Sequence, residues 1–219
     1  AFAFFGLHVA NTIGRGIIDA SVVDPIVILA ALIAALFWNV ITWFYGIPSS
    51  SSHALIGGMI GAAVAKGGFH ALESAGIYKV LIFIVLSPLI GFTLAAIIMT
   101  LVRRALFYAN PTRVHTTSRK VQLVSAAAYS MGHGGNDAQK TMGIITVLLF
   151  STGQMHGEFH VPFWVIMSCQ AAIAVGTLFG GWRIVETMGL KIARLTPLGG
   201  SCAETSGAIT LLLASMIGA

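Results

Sequence analysis

Residues 80–102 read VLIFIVLSPLIGFTLAAIIMTLV, a run without a single charged side chain. A helix rises about 1.5 Å per residue and the hydrocarbon core of a bilayer is about 30 Å thick, so this segment alone is long enough to cross a membrane. It is not isolated, because residues 26–38 and 161–181 are also free of charge. Over the whole chain 57% of residues are hydrophobic, mean hydropathy is +0.90 and 9% are charged. Soluble domains carry about 25% charged residues, and a chain this poor in charge cannot coat a water-facing surface. The reading is an all-α, polytopic transmembrane helical bundle. A soluble protein with several buried helices is the bland alternative, and span-length apolar windows recur too often for it.

The charges collect between the apolar runs. Twelve Lys and Arg against seven Asp and Glu give a formal net charge of +5, and Arg103, Arg104, Arg113, Arg119 and Lys120 all fall within 103–120. Basic connectors beside spans usually stay in the cytoplasm, so this one is expected to be a cytoplasmic loop, and no nucleic-acid partner is expected from the charge. Cys169 and Cys202 have neither CxxC spacing nor flanking His and read as small packing residues. The chain begins and ends in apolar sequence, Ala1–Val9 and Leu211–Ala219, which is expected of cuts through a longer protein.

Working outward from 80–102, a span tail is expected at Ala1–Ile13, a polar connector at Gly14–Asp24 and a span at Ile26–Tyr45 that stops at Gly46-Ile47-Pro48. Ser49–Ser52 and His53 then lead into Ala54–Ala65, too short to cross comfortably, so a half-span or re-entrant segment is expected there. Beyond the basic connector, Val121–Phe150 is apolar except for a polar centre, Gly132–Lys140. A span is expected at Val161–Gly181, a mildly basic connector carries Arg183, Lys191 and Arg194, and the last apolar segment is Gly199–Ala219.

The two polar interruptions carry the functional signal. A charged or amide side chain at the bilayer centre costs roughly 2.5–3.5 kcal/mol on insertion scales, so His133, Asn136, Asp137, Gln139 and Lys140 need a reason to be there, and ion or substrate binding is the usual one. The pair Gly134-Gly135 is expected to let the backbone leave the helix and turn toward a bound species. An ordinary extramembrane loop is the alternative, but the apolar flanks would each be about half a span. Ser49–Ser52 lie after a proline break at the start of a helix, where free N–H groups and the positive end of the helix dipole favour an anion. A simple N-cap plus small-residue packing is the alternative for the serines. Taken together, the interruptions suggest one polar centre with hydroxyls and helix N-termini for an anion, and a carboxylate with carbonyls for a cation.

These residues carry a resemblance. Gly46-Ile47-Pro48-Ser49-Ser50-Ser51-Ser52-His53-Ala54 resembles one signature of the inorganic phosphate transporter (PiT) family, and His133-Gly134-Gly135-Asn136-Asp137-Ala138-Gln139-Lys140 resembles another, with Gly135 where the family commonly has Ala. Asn11–Asp19 and Ala203–Ser206 through Ser215 also resemble family segments. The resemblance implies a two-repeat transporter fold with broken or re-entrant helices. In it, 1–102 is the C-terminal part of the first repeat, 103–120 the basic cytoplasmic connector and 121–219 the N-terminal part of the second. It implies transport of inorganic phosphate across the cytoplasmic membrane, coupled to H⁺ or Na⁺, with a metal–phosphate complex as the form carried by some members.

By position in the signatures, Ser50, Ser51, Ser52, Asn136, Asp137, Gln139 and Thr141 would bind substrate. Asp137, Glu204, His53 and His133 would serve coupling, and Asn136 with Asp137 would form the cation site. For the two histidines hydrogen-bonded packing is an equal reading, and for Glu204 a position at a surface end. No cofactor is expected beyond the co-transported cation. The expected partners are phosphate, that cation and the bilayer, with a homo-oligomer allowed. A sulfate or other small-anion permease and an anion channel are the alternatives. Enzyme activity is not expected, since Ser52 and His53 are neighbours that would point about 100° apart on a helix and no Gly-x-Ser-x-Gly elbow is present.

Overall fold

The computed structural model describes residues 16–19, 21–157, 160–192 and 196–217. They form α1 (Pro25–Tyr45), α2 (Ser51–Gly67), a short 3₁₀ turn (Phe69–Ala71), α3 (Ser74–Ala105), α4 (Pro111–Ser151), α5 (Phe163–Phe179), α6 (Trp182–Glu186) continued by a π-helical turn (Thr187–Ile192), and α7 (Pro197–Ile217). Among the described residues there is no strand, only an isolated antiparallel bridge between Ile18 and Leu72. The expected span at Ala1–Ile13 lies outside the described residues.

By length and composition α1 and α3 can each cross a membrane, and α5 with α6 can make a third span if the bent pair is taken as one. Asp24 caps α1 by accepting the Val27 N–H at 2.8 Å, with Pro25 in the first turn where its missing N–H costs nothing. Gly46, at φ +67°, ends α1 in the left-handed conformation that glycine adopts without penalty. The chain then doubles back, so α1 and α2 form an antiparallel hairpin. Its open end is pinned by Lys66, whose ammonium donates to Asp24 at 2.7 Å and to the Val22 carbonyl at 3.0 Å. Its helices touch at Gly58, where a Cβ would stand 2.5 Å from the Ala31 carbonyl oxygen.

α4 is the axis of the molecule. Ile144 joins Ile28, Ala31, Met59 and Ala63 in one apolar cluster against the hairpin, and Ala138 and Met142 join Val165, Ile166 and Cys169 in a second against α5. α7 runs alongside it, with Gly207 so close to Tyr129 that a Cβ would lie 2.7 Å from the ring. α3 packs chiefly on α7, where a Cβ at Gly91 would lie 3.9 Å from the Thr210 hydroxyl, and stands away from α2 and α4.

Two expectations are corrected. The backbone does not unwind at Gly134-Gly135: α4 is one helix of 41 residues through the whole Gly132–Lys140 segment. Three glycines cost a helix about 3 kcal/mol relative to alanine, whereas unwinding among packed neighbours would leave several backbone groups without partners at about 1–3 kcal/mol each, so the helix persists. The Val161–Gly181 segment is not a plain span either, because α5 stops at Phe179 and the chain bends by 65° into α6. Gly180, at φ +64°, makes that bend possible. The connector 103–120 is itself mostly helical, shared between the ends of α3 and α4.

Candidate functional site

Because α4 is continuous, its polar residues obey helical geometry. His133, Asn136, Asp137 and Lys140 stand at i, i+3, i+4 and i+7, which is one stripe, and all four line a cavity of about 480 Å³. Asp137 is about 25 Å along the helix from Lys120 and about 21 Å from Ser151, near the middle of the segment between the basic connector and the next loop. The turn of the α1–α2 hairpin delivers Ser49–Ser52 and His53 to the same cavity, and α3 and α7 close its other sides.

The serines divide their work. Ser49 Oγ accepts the indole N–H of Trp38 at 3.0 Å, and Ser50 Oγ caps α2 by accepting the His53 N–H at 3.3 Å. Ser51 and Ser52 occupy the first two helical positions, whose N–H groups have no acceptor within the helix. Ser52 reaches α4: Lys140 Nζ donates to its hydroxyl, which lies 3.5 Å from Asp137 Oδ1. Lys140 Nζ also donates to Asp137 Oδ1 at 2.8 Å, and His133 Nε2 stands 3.2 Å from Asp137 Oδ2. Tyr129, one turn before, stacks on His133 with ring centroids 5.7 Å apart. The Oδ1 of Asn136 is buried without a hydrogen-bond partner among the described residues.

The hairpin turn and the mid-section of α4 thus present free amides, hydroxyls and an ammonium, all attractive to an anion. A carboxylate and an unpartnered amide oxygen, both attractive to a hard cation, stand among them. Lys140 pairs with Asp137 at 2.8 Å, so the carboxylate is compensated before any ion binds. Among the described residues no three of His, Cys, Asp and Glu stand together as a metal cluster.

The remaining candidates lie elsewhere. Thr141 faces an adjoining cavity of about 230 Å³ that also touches Asn39, Ser51, Ser52, Asp137 and Lys140. Gln139 is 1% exposed with both amide atoms unpartnered among the described residues, and it is not in the wall of either cavity. Two residues past Asp137 on a straight helix is about 200° of rotation, which carries it off the stripe. Glu204 accepts from Ser125 Oγ at 2.6 Å between α4 and α7, and Ser125 is about 18 Å below Asp137 along α4. It lines neither cavity. Cys169 and Cys202 are buried free thiols. Sequence reasoning missed Lys79, Ser87 and Pro88, which line the large cavity from α3. Ser87-Pro88 inside an otherwise apolar run was the available signal, since proline removes a hydrogen bond to the carbonyl four residues earlier, here Ile84 in the same wall.

Helices long and apolar enough to cross a bilayer, a hairpin turn packed against a long helix and a charged pair at their junction define a polytopic helical membrane protein with a polar centre. The chain matches the phosphate transporter family over residues 1–219, and it belongs to that family. It is 60% identical over 218 residues to a Rhizobium meliloti protein named "Probable low-affinity inorganic phosphate transporter", covering 100% of this chain and 65% of that one. A Bacillus subtilis protein of the same name is 43% identical over 219 residues, covering 99% of this chain and 65% of its own length. The chain therefore spans just under two thirds of these relatives. A solved structure titled "The sodium-dependent phosphate transporter" superposes with a TM-score of 0.87 at 24% identity, over 98% of this chain and 72% of that one, and shares its fold.

Proposed function

We propose that the protein carrying this chain moves inorganic phosphate across the cytoplasmic membrane by secondary active transport, coupled to a sodium ion or a proton. The observation that carries this reading is Lys140, which bridges the Ser52 hydroxyl and the Asp137 carboxylate on the polar stripe of α4. Family membership and the names of the relatives support phosphate as the cargo.

The charge balance explains coupling. Asp137 and Lys140 cancel, so a phosphate entering among Ser51, Ser52 and Lys140 brings uncompensated negative charge into a low-dielectric centre. As Lys140 turns from Asp137 to phosphate, the carboxylate loses its partner, and a cation seated on Asp137 and the free Asn136 Oδ1 restores neutrality. Each ion is thus expensive to hold alone and cheaper in company.

The test is radiolabelled phosphate uptake into proteoliposomes containing the intact native protein, with imposed sodium or proton gradients, with and without Mg²⁺, and with sulfate as competitor. Accumulation driven by one gradient and blocked by phosphate but not sulfate is expected, and stimulation by Mg²⁺ would identify a metal–phosphate complex as the carried form. Downhill flux alone would make the protein a channel, and equal inhibition by sulfate a broader anion carrier.

A further inference from the structure

We infer that Arg183 is a positioning residue for the anion site, holding the serine-bearing turn in place from the far side of the α5–α6 bend. The last carbonyls of any helix lack intrahelical donors. In α1, Gly46 and Ile47 donate to Thr42 and Gly46 to Trp43. Phe44 is served from outside: Arg183 Nη1 donates to its carbonyl at 2.5 Å, and the guanidinium lies 5.1 Å from the centre of its ring. A cation at a helix C-terminus also meets the negative end of the dipole.

The fit around this contact is tight. A Cβ at Gly46 would lie 3.2 Å from both Cβ and O of Arg183, and a Cβ at Gly181 would lie 3.8 Å from the Trp43 ring. Three residues beyond Gly46 the chain reaches Ser49, itself held by Trp38 at 3.0 Å. Arg183 therefore joins the bend at Gly180-Gly181 to the turn that presents the serines, and a displacement of α6 about that bend is passed to the turn at this contact.

The inference rests on the phosphate reading for its kinetic test and is independent of it for a second. In uptake assays on the intact protein, Arg183→Gln is expected to raise the phosphate KM about tenfold with the maximal rate within about twofold, and Arg183→Lys to recover part of the loss. An unchanged KM overturns the proposal, as does a fall in maximal rate alone. An arginine that only anchored α6 at the lipid boundary would accept Lys fully and leave KM untouched. The second test uses Ile47→Cys, between the Gly46 cap and Pro48, probed with a water-soluble thiol reagent without phosphate. Its labelling is expected to change about tenfold when Arg183→Gln is added, because the turn is released. Identical labelling overturns the proposal, and this arm decides even if the protein carries another anion.

Discussion

At the scale of single residues, Asp137 matters through what surrounds it. Its carboxylate meets Lys140 at 2.8 Å and His133 at 3.2 Å, with side chains 27%, 21% and 53% exposed respectively, so the Lys140 pair is screened less than a surface ion pair and more than a core one. Asp137→Asn is expected to abolish cation-dependent uptake while leaving Lys140 free to hold phosphate. Measured binding of phosphate without cation-stimulated uptake is the outcome that agrees, and normal gradient-driven uptake would contradict the coupling scheme. Lys140→Gln is expected to weaken phosphate binding by about tenfold or more, the loss of roughly one charge-assisted hydrogen bond, in a titration at fixed cation concentration. The serine and Asn-Asp clusters were legible as candidates from residue type alone. The Lys140–Ser52 contact was not, because it joins positions far apart in the chain.

At the scale of elements, the continuity of α4 decides how the site is built. A Cβ at Gly134 would meet nothing within 4 Å. Gly134→Ala is accordingly expected to stabilise the helix by up to about 1 kcal/mol with uptake retained, and a lost activity would mean that the backbone opens there during transport. Gly58 is the opposite case, since its Cβ would collide with the Ala31 carbonyl. Gly58→Val should separate α1 from α2 and cost about 1–3 kcal/mol in thermal unfolding of the purified protein. The hairpin also has an acid-sensitive end. The hydrogen bond from Lys66, then that from the Val27 N–H, holds the Asp24 carboxyl below its ordinary range. With the folded-state pKa below the unfolded one, the contribution is complete above the ordinary carboxylate value and is lost as pH falls through the folded value. Thermal midpoints measured from pH 7 downward should fall further for the native protein than for Asp24→Asn.

At the scale of the whole molecule, the large cavity exists because α3 rests on α7 and leaves a gap toward α2 and α4. Ser87, on α3, shares that cavity with Ser51 and Asn136. A Ser87→Cys variant of the intact protein should react with water-soluble thiol reagents and be protected by phosphate, and indifference to phosphate would place the anion elsewhere. Composition and charge-free windows were enough to determine an all-helical membrane protein, because the bilayer admits few other ways to satisfy a backbone. Ser49–Ser52 and His133–Lys140 stood out as the two polar interruptions of one candidate centre, because polar groups inside apolar spans are costly. Only the tertiary structure decided that α4 stays helical through its glycines, that the bend falls at Gly180-Gly181, and that Gln139 and Glu204 stand apart from Asp137. Those outcomes turn on which helix faces meet which neighbours, and a residue's rotation and partner come from packing between segments distant in the chain.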